Sequence, residues 1–392
     1  MYKTIKGYIR KDGNVGFRNY VLVLPSVICS SKVAERIASS VPGCAVARHN
    51  QGCAQLGEDF HQTRRTLINT ALNPNVAAVI VIGLGCERVS PHELRDLIAQ
   101  AGKPVELIMV QEVGNGEAIR LGREKAREFV IEASKIERQS VPLSALTIGV
   151  ECGGSDFSSG LSANPVVGHV ADLVWGNGGR VILSETTELV GAEHLLFERM
   201  SDDSQKERFT RMLERMINES RNNSRDMVDR ENIPNNISPG NVRGGLTTLE
   251  EKSLGAMIKG GKVPIVGVKE YGECIERAPG LYLMDSPGYD VESVTGMVAG
   301  GASIILFTTG QGTPTGNPIA PVIKITGNRD TAVKMRDSID FDCSAVISGG
   351  ETLEKSGERL FDLLIDVSNG AETKSELLGQ DDYSIWNVGI KL

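Results

Sequence analysis

The run VAAVIVIGLG at 76–85 constrains the fold of this chain more than any other stretch. It is uncharged, rich in β-branched residues, and ends on Gly-Leu-Gly. A strand without a polar face must be covered on both sides. Its surroundings supply the cover. Apolar runs at 20–28 (YVLVLPSVI) and 105–111 (VELIMVQ), with a short strand at 45–48, alternate with helical patterns at 31–40, 58–72, 91–101 and 116–136. Pro91 falls in the first turn of the third helix, where a missing N–H costs little. This alternation predicts a parallel sheet clothed by helices on both faces.

RQSVPLSAL at 138–146 reads as a linker, after which a second alternation begins. Strands are expected at 146–151, 180–184, 263–269, 280–285, 303–308 and 321–325. Helices are expected at 164–176, 191–220, 247–259, 289–299, 329–337 and 352–368. The expected fold class is α/β, with two parallel-sheet, Rossmann-like three-layer domains at 1–140 and 146–392 and a cleft between them. A chain of 392 residues has room for both. The polar stretch 221–245 reads either as a lid lining that cleft or as a plain insertion.

Several function classes drop out. No run of about 18 apolar residues is present, so no membrane span is expected. The beginning, MYKTIKGYIRKDG, lacks an apolar core and a cleavage site, which points to a cytoplasmic location. The net charge of −8 argues against nucleic acid, yet leaves room for a small anion held by local cations. Seven cysteines without any CxxC pair read as reduced thiols rather than a disulfide framework or a zinc ribbon. The sequence PSVICSS stands where a dinucleotide fold needs its glycine fingerprint, which excludes that reading.

The chemistry gathers where the strands end. In open α/β sheets, ligands bind beyond the carboxyl ends of the strands. Cys29, Cys86 and Cys152 each close an expected strand, and Cys53 follows His49 in the loop HNQGC. Gln111 and Glu112 arrive at the same edge. Thiols, an imidazole and carboxylates in one crevice suit a divalent transition metal; a polar crevice without metal is the other reading. The loop CGGSD carries Ser155 and Asp156, and Asn164 opens the helix after it, where free N–H groups attract carboxylate or phosphate. Thr308 and Thr309 (FTTGQG) and the loop DSPGYD at 285–290 repeat the pattern. Each loop also reads as an ordinary capped turn. Arg18, beside Asn19, reads as a carboxylate clamp or as a salt-bridged arginine. Lys324 lies in an apolar strand and needs a partner or a function.

Taken in order, KDGNVGFRNY, HNQGCA, GLGCE, QEVG, CGGSD, SANP, LSET, SPGN, EKSLG, KGG, DSPG, TGMVAGGA, FTTGQG, PVIK and DFDC resemble the altronate and galactarate dehydratases over nearly the whole chain. That family includes the large subunit of sulfolactate sulfo-lyase, which expels sulfite instead of water. The resemblance implies a lyase that eliminates water from a sugar acid, with sulfite release from sulfolactate as the alternative. A non-catalytic anion-binding subunit is a further alternative. It implies a divalent metal, Fe²⁺ or else Mn²⁺, an anionic carboxylate substrate and a homo-oligomer. Single-chain members have a small domain ahead of the part matched, which implies a separate small subunit. The loop 52–57, GCAQLG, departs from the altronate-type pattern and keeps the sulfo-lyase reading open. Set on this chain, the family's chemistry implies His49, Glu112 and Lys324 as acid–base candidates. Cys53, Cys86, Cys152, Asp156 and Glu185 would be metal ligands. Arg18, Asn19, Ser155, Asn164, Thr308 and Thr309 would hold substrate.

Overall fold

A computed structural model of the chain describes residues 4–223, 237–389 and 391. In chain order the strands of the first part are β1 (Thr4–Ile9), β2 (Val15–Gly16), β3 (Tyr20–Pro25), β4 (Cys44–Val46), β5 (Val76–Gly83), β6 (Val105–Met109) and β7 (Gln139–Pro142). Strands β3 to β6 form a parallel sheet in the order β4-β3-β5-β6. Side chains alternate across it because successive residues of a strand point to opposite faces. Val21, Val23, Ile80 and Ile82 share one core with helices Ser31–Ala38 and Asn115–Ser134. Leu22, Leu24, Val79 and Val81 pack on the other face with helix Gly57–Leu72. Helix Pro91–Gln100 starts as its sequence demands, with Pro91 in the first turn and the Ser90 hydroxyl accepting from the Glu93 N–H.

The second part carries β8 (Thr147–Cys152), β9 (Arg180–Leu183), β10 (Ile265–Lys269), β11 (Gly280–Met284), β12 (Ile304–Thr308), β13 (Val322–Thr326) and β14 (Phe341–Asp342). They form a seven-stranded sheet, all parallel, in the order β10-β11-β9-β8-β12-β13-β14. The expected α/β class, with two helix-covered parallel sheets, is what the chain adopts. The sheets are joined by a common core: Leu67 and Ala71 of helix Gly57–Leu72 meet Val294, Met297 and Val298 of helix Asp290–Ala299. The C-terminal tail then returns to the first sheet. Asp59 accepts the backbone N–H groups of Val388 and Gly389, and Gln51 donates to the Ile385 carbonyl.

Three local expectations differ from what is observed. The segment read as a linker at 138–146 contains β7, which pairs antiparallel with β1 in a small third sheet ordered β2-β1-β7. Residues 4–9 were not expected as a strand, because TIKGYI buries only Ile5 and Gly7 and shows no continuous apolar run. The helix expected at 191–220 is broken into Glu193–Phe197 and Asp203–Asn223. Of the polar stretch 221–245, residues 224–236 lie outside the described residues. Pro239–Arg243 after them is a helical turn closed by a Ser238–Asn241 capping box.

Candidate active site

Strand β8 is the switch point of the seven-stranded sheet: the chain passes to β9 on one side and later to β12 on the other. Such points open a crevice beyond the strand ends. Strand β8 delivers Glu151 and Cys152 there. The turn after β9 adds Glu185 and Glu188. Helix Leu249–Met257 brings Lys252, and the 3₁₀ turn Ile258–Gly260 brings Lys259. All six side chains are buried or nearly so, and Lys259 is completely enclosed.

The groups form one network. The Cys152 thiol donates to Glu188 Oε2 at 3.0 Å, and its sulfur accepts from Lys259 Nζ at 2.7 Å. Lys259 also meets Glu185 Oε2 at 3.0 Å, and Lys252 meets Glu188 Oε1 at 2.8 Å. Glu185 Oε2 lies 3.7 Å from the sulfur and accepts the Cys152 backbone N–H at 3.3 Å. Glu151 Oε2 accepts from Ser293 Oγ at 2.5 Å. Glu185 sits in the left-handed region at φ +67°. A non-glycine residue held there costs on the order of 1–3 kcal/mol, and such strain collects at functional sites. Its N–H donates to Ser286 Oγ at 2.8 Å, which ties the turn to the loop after β11.

Charge follows from burial. Desolvation, reinforced by the Glu185 charge, pushes the Glu151 carboxyl well above the usual range. Burial and the neighbouring Glu188 likewise keep Cys152 a thiol. Burial alone would raise Glu188, but Lys252 and Lys259 outweigh it and hold Glu188 ionised. Burial opposes the charge on Lys259, and the surrounding anionic groups more than compensate. Burial and then Glu188 raise Glu185, against the pull of Lys259.

Asp290 completes the site. It is the first residue of helix Asp290–Ala299 and is only half-buried. A Cβ on Gly153 would stand 2.2 Å from Asp290 Oδ2, so the glycine after Cys152 is what admits this carboxylate. Burial, then Glu185 and Glu188, raise the Asp290 carboxyl to about 7.

Of the residues singled out from sequence, Cys152 and Glu185 enter this cluster. Thr308 and Asn164 lie beneath it, with the Thr308 hydroxyl bonded to Asn164 Oδ1 at 2.6 Å and to the Glu151 carbonyl at 3.1 Å. Ser155 is buried, and its carbonyl accepts from Asn241 Nδ2. Thr309 Oγ1 accepts the Gly312 N–H. Asp156 accepts from Ser158 N and Oγ, Ser159 N and Asn328 Nδ2, so its oxygens are already satisfied.

The expectation of a single thiol-lined edge is corrected. Cys53 and Cys86 lie at the carboxyl edge of the four-stranded sheet and are exposed, whereas Cys152 belongs to the other sheet. Among the described residues, only Cys152, Glu185 and Glu188 bring three potential metal-ligand atoms within 4.8 Å of one another. His49, expected as a base, is buried with both nitrogens engaged. Nε2 is 2.8 Å from the Pro25 carbonyl, and Nδ1 accepts the Gln51 N–H. Burial lowers its pKa to about 4. Arg18, expected as a substrate clamp, is forked onto Glu376 and capped by the carbonyls of Phe17, Val367 and Ala371. Asn19 accepts from Arg10 and donates to the Ala133 carbonyl. Lys324 is lowered to about 8 by burial, as a buried lysine should be, and its ammonium donates to Gln380. Glu112 is exposed in the short helix Val110–Val113. Glu188, Lys252, Lys259 and Asp290 were not singled out. All but Glu188 stand in motifs already quoted (EKSLG, KGG) or in the loop DSPGYD, so position in a motif was the available signal.

The cluster of a buried thiol, carboxylates and lysines thus stands at the switch point of a doubly wound α/β scaffold, a place where such folds carry enzyme sites. Residues 143–391 match the family described as D-galactarate/Altronate dehydratase, C-terminal. Residues 7–134 match D-galactarate dehydratase/Altronate hydrolase, second domain. The chain belongs to this family and is a lyase. It is 40% identical to the (2R)-sulfolactate sulfo-lyase subunit beta of Chromohalobacter salexigens, covering 97% of this chain and 96% of that relative. It is 34% identical to the altronate dehydratase of Escherichia coli over 100% of this chain and 79% of the relative. It is also 34% identical to the galactarate dehydratase (L-threo-forming) of Escherichia coli, covering 94% and 73%. Among the described residues, no helix is long and apolar enough to cross a membrane.

Proposed function

We propose that the chain catalyses β-elimination from a 2-hydroxy carboxylate at the Cys152 cluster, with a divalent metal held by Cys152, Glu185 and Glu188. The donor set carries this reading. Bonds of about 2.3 Å to sulfur and about 2.1 Å to oxygen, meeting at roughly 90–110°, span about 3.1–3.6 Å between ligand atoms. The observed sulfur–oxygen edges, 3.0 Å to Glu188 and 3.7 Å to Glu185, lie just below and just above that span, so binding would need small shifts of both carboxylates. Beyond the neighbouring Glu151 carboxyl, Glu185 Oε1 has no hydrogen-bond partner. Binding would release the Cys152 thiol proton to solvent, and one thiolate with carboxylate oxygens suits iron(II), with manganese(II) next. When bound, such an ion polarises the substrate carboxylate and makes the α-proton more acidic.

The protein's own groups do the rest. Asp290, the cluster carboxylate that reaches solvent, takes the α-proton. Lys252 and Lys259 offset the negative charge that builds on the substrate carboxylate as that proton leaves. The electron pair of the C–H bond forms the C=C bond, and the β-substituent departs with the electrons of its own bond. The enol then tautomerises to a keto acid. If sulfite leaves, no proton is needed on the leaving group. The identity of 40% to the sulfo-lyase subunit, over 96% of its length, favours sulfolactate as substrate and a small second chain as partner. Dehydration of a sugar acid is the second reading, favoured by both family matches.

The test is anaerobic turnover by the chain with Fe²⁺, with and without a small partner chain. Sulfolactate, altronate and galactarate are offered, and sulfite and keto acid are measured. Sulfite with pyruvate is the expected pair. Cys152→Ser and Glu188→Gln should lose both iron and turnover with unchanged circular dichroism. Full iron and full activity in Cys152→Ser would remove this cluster from the chemistry.

A further inference from the structure

The four-stranded sheet carries chemistry that the Cys152 cluster does not use. Its switch point is β3, flanked by β4 and β5, and ligands in such sheets sit beyond the strand ends at that point. The three loops leaving β3, β4 and β5 deliver Cys29, Cys53 and Cys86 to this edge. All three are free and exposed. The loops are tied together beside each thiol. Ile28 donates its N–H to the Gln51 carbonyl at 3.0 Å, and Arg88 donates to the Gly52 carbonyl at 3.1 Å. The Ser26 hydroxyl donates to Glu87 Oε1 at 2.6 Å. Cys29 follows Ile28, Cys53 follows Gly52, and Cys86 precedes Glu87. Gly52 has φ +101°, and a Cβ there would stand 2.3 Å from the Ser26 carbonyl oxygen. Glycine is what lets the loops close on one another.

Two further features suit this edge to a bound anionic group. Helices Ser31–Ala38, Gly57–Leu72 and Pro91–Gln100 all begin just after these loops. Their N-terminal ends direct partial positive charge at the edge, where a bound group carrying negative charge is favoured. The Gln111 side-chain amide donates to Cys86 Sγ at 3.7 Å, and hydrogen bonds of this kind tune thiolates bound to iron. A single tetrahedral ion with 2.3 Å bonds would need sulfurs about 3.8 Å apart. Among the described residues, no three ligand atoms at this edge fall within 4.8 Å of one another. The thiols form a wider set than one ion spans.

We propose that Cys29, Cys53 and Cys86 hold an iron–sulfur cluster through three thiolates, with one iron left open to a non-protein ligand. Assembly forms three iron–thiolate bonds and releases the three thiol protons to solvent. The ferrous and ferric ions and the sulfide come from outside the chain, so no electron is taken from the protein. Cys44 starts β4 at the opposite edge of the sheet, and Cys152, Cys274 and Cys343 belong to the other part of the chain.

The experiment incubates the full chain anaerobically with ferrous and ferric salts and sulfide, then desalts it. The expected result is acid-labile sulfide matched by an equal amount of iron in Cys152→Ser and exceeded by one iron per chain in the native protein, with visible sulfide-to-iron charge-transfer absorption. The triple variant Cys29→Ser, Cys53→Ser, Cys86→Ser should lose labile sulfide at least tenfold, while Cys274→Ser and Cys152→Ser keep it. Circular dichroism checks the fold, and the three single variants are read if the triple variant does not fold. The proposal is overturned by iron bound without labile sulfide, by a folded triple variant that retains it, or by its loss in Cys152→Ser. None of these outcomes touches the elimination assay, so the two proposals fail separately.

Discussion

Lys259→Met isolates the electrostatics of the buried cluster. The change keeps a long unbranched side chain and removes only the ammonium. In the native chain that ammonium lies 3.0 Å from Glu185 Oε2 and 2.7 Å from Cys152 Sγ, with the lysine side chain fully enclosed. At an effective dielectric of about 20, unit charges at that separation attract by about 5 kcal/mol. Removing the lysine also removes its own desolvation cost, which returns part of this. Breaking a buried pair from one side costs about 3–5 kcal/mol, because the other charge stays buried and unpaired. Total stabilities run to about 5–15 kcal/mol, so the loss is large. Urea unfolding at neutral pH in the presence of a chelator should therefore show the variant about 3–5 kcal/mol less stable. Adding Glu185→Gln removes the orphaned charge and should restore about 2–3 kcal/mol, a coupling expected of residues in contact. The same single variant leaves the triad more negative, so its affinity for Mn²⁺ should rise. A loss below about 1 kcal/mol, or a double variant no more stable than Lys259→Met, would refute the charge accounting.

Three further outcomes are expected. The pKa of His49 is about 4, against an ordinary value of 6.5, so the unfolded chain binds more protons between those pH values. Its contribution is intact above about 6.5 and falls by about 3 kcal/mol as pH approaches 4; His49→Gln should flatten that slope in denaturation at pH 7 and pH 4.5, and an unchanged slope would show the imidazole is not held neutral. Gly153→Ala places a Cβ 2.2 Å from Asp290 Oδ2 and must displace that carboxylate; turnover should fall at least tenfold, as in Asp290→Asn, and wild-type turnover in both variants would exclude Asp290 as the base. Arg18→Met leaves Glu376 buried without its partner and should cost about 3–5 kcal/mol; thermal melts should drop while KM stays within twofold, whereas a raised KM with an unchanged melt would make Arg18 a substrate clamp after all.

What the sequence settled by itself was whatever depends on near neighbours along the chain. Apolar runs such as 76–85 cannot tolerate water on either face, so they had to become central parallel strands, and β3, β5, β8, β12 and β13 are where they were read. The ends of β8 and β12, and of β11, marked the places where Cys152, Thr308 and the loop of Asp290 would emerge. The strands β1 and β7 escaped because each is stabilised by pairing with the other across more than a hundred residues, not by an apolar run of its own. Which strand ends meet was equally invisible, since it depends on strand order. Only the order β9-β8-β12 puts Cys152 beside Glu185 and Glu188, and only a separate sheet order sets Cys29, Cys53 and Cys86 around another switch point. Pairing decided the rest. Arg18 met Glu376, 358 residues away, and His49 met a backbone carbonyl. Lys252 and Lys259 came from a helix and the turn after it, more than sixty residues beyond Glu185 and Glu188, to neutralise buried carboxylates, because a charge removed from water must find its counter-charge wherever the fold supplies one.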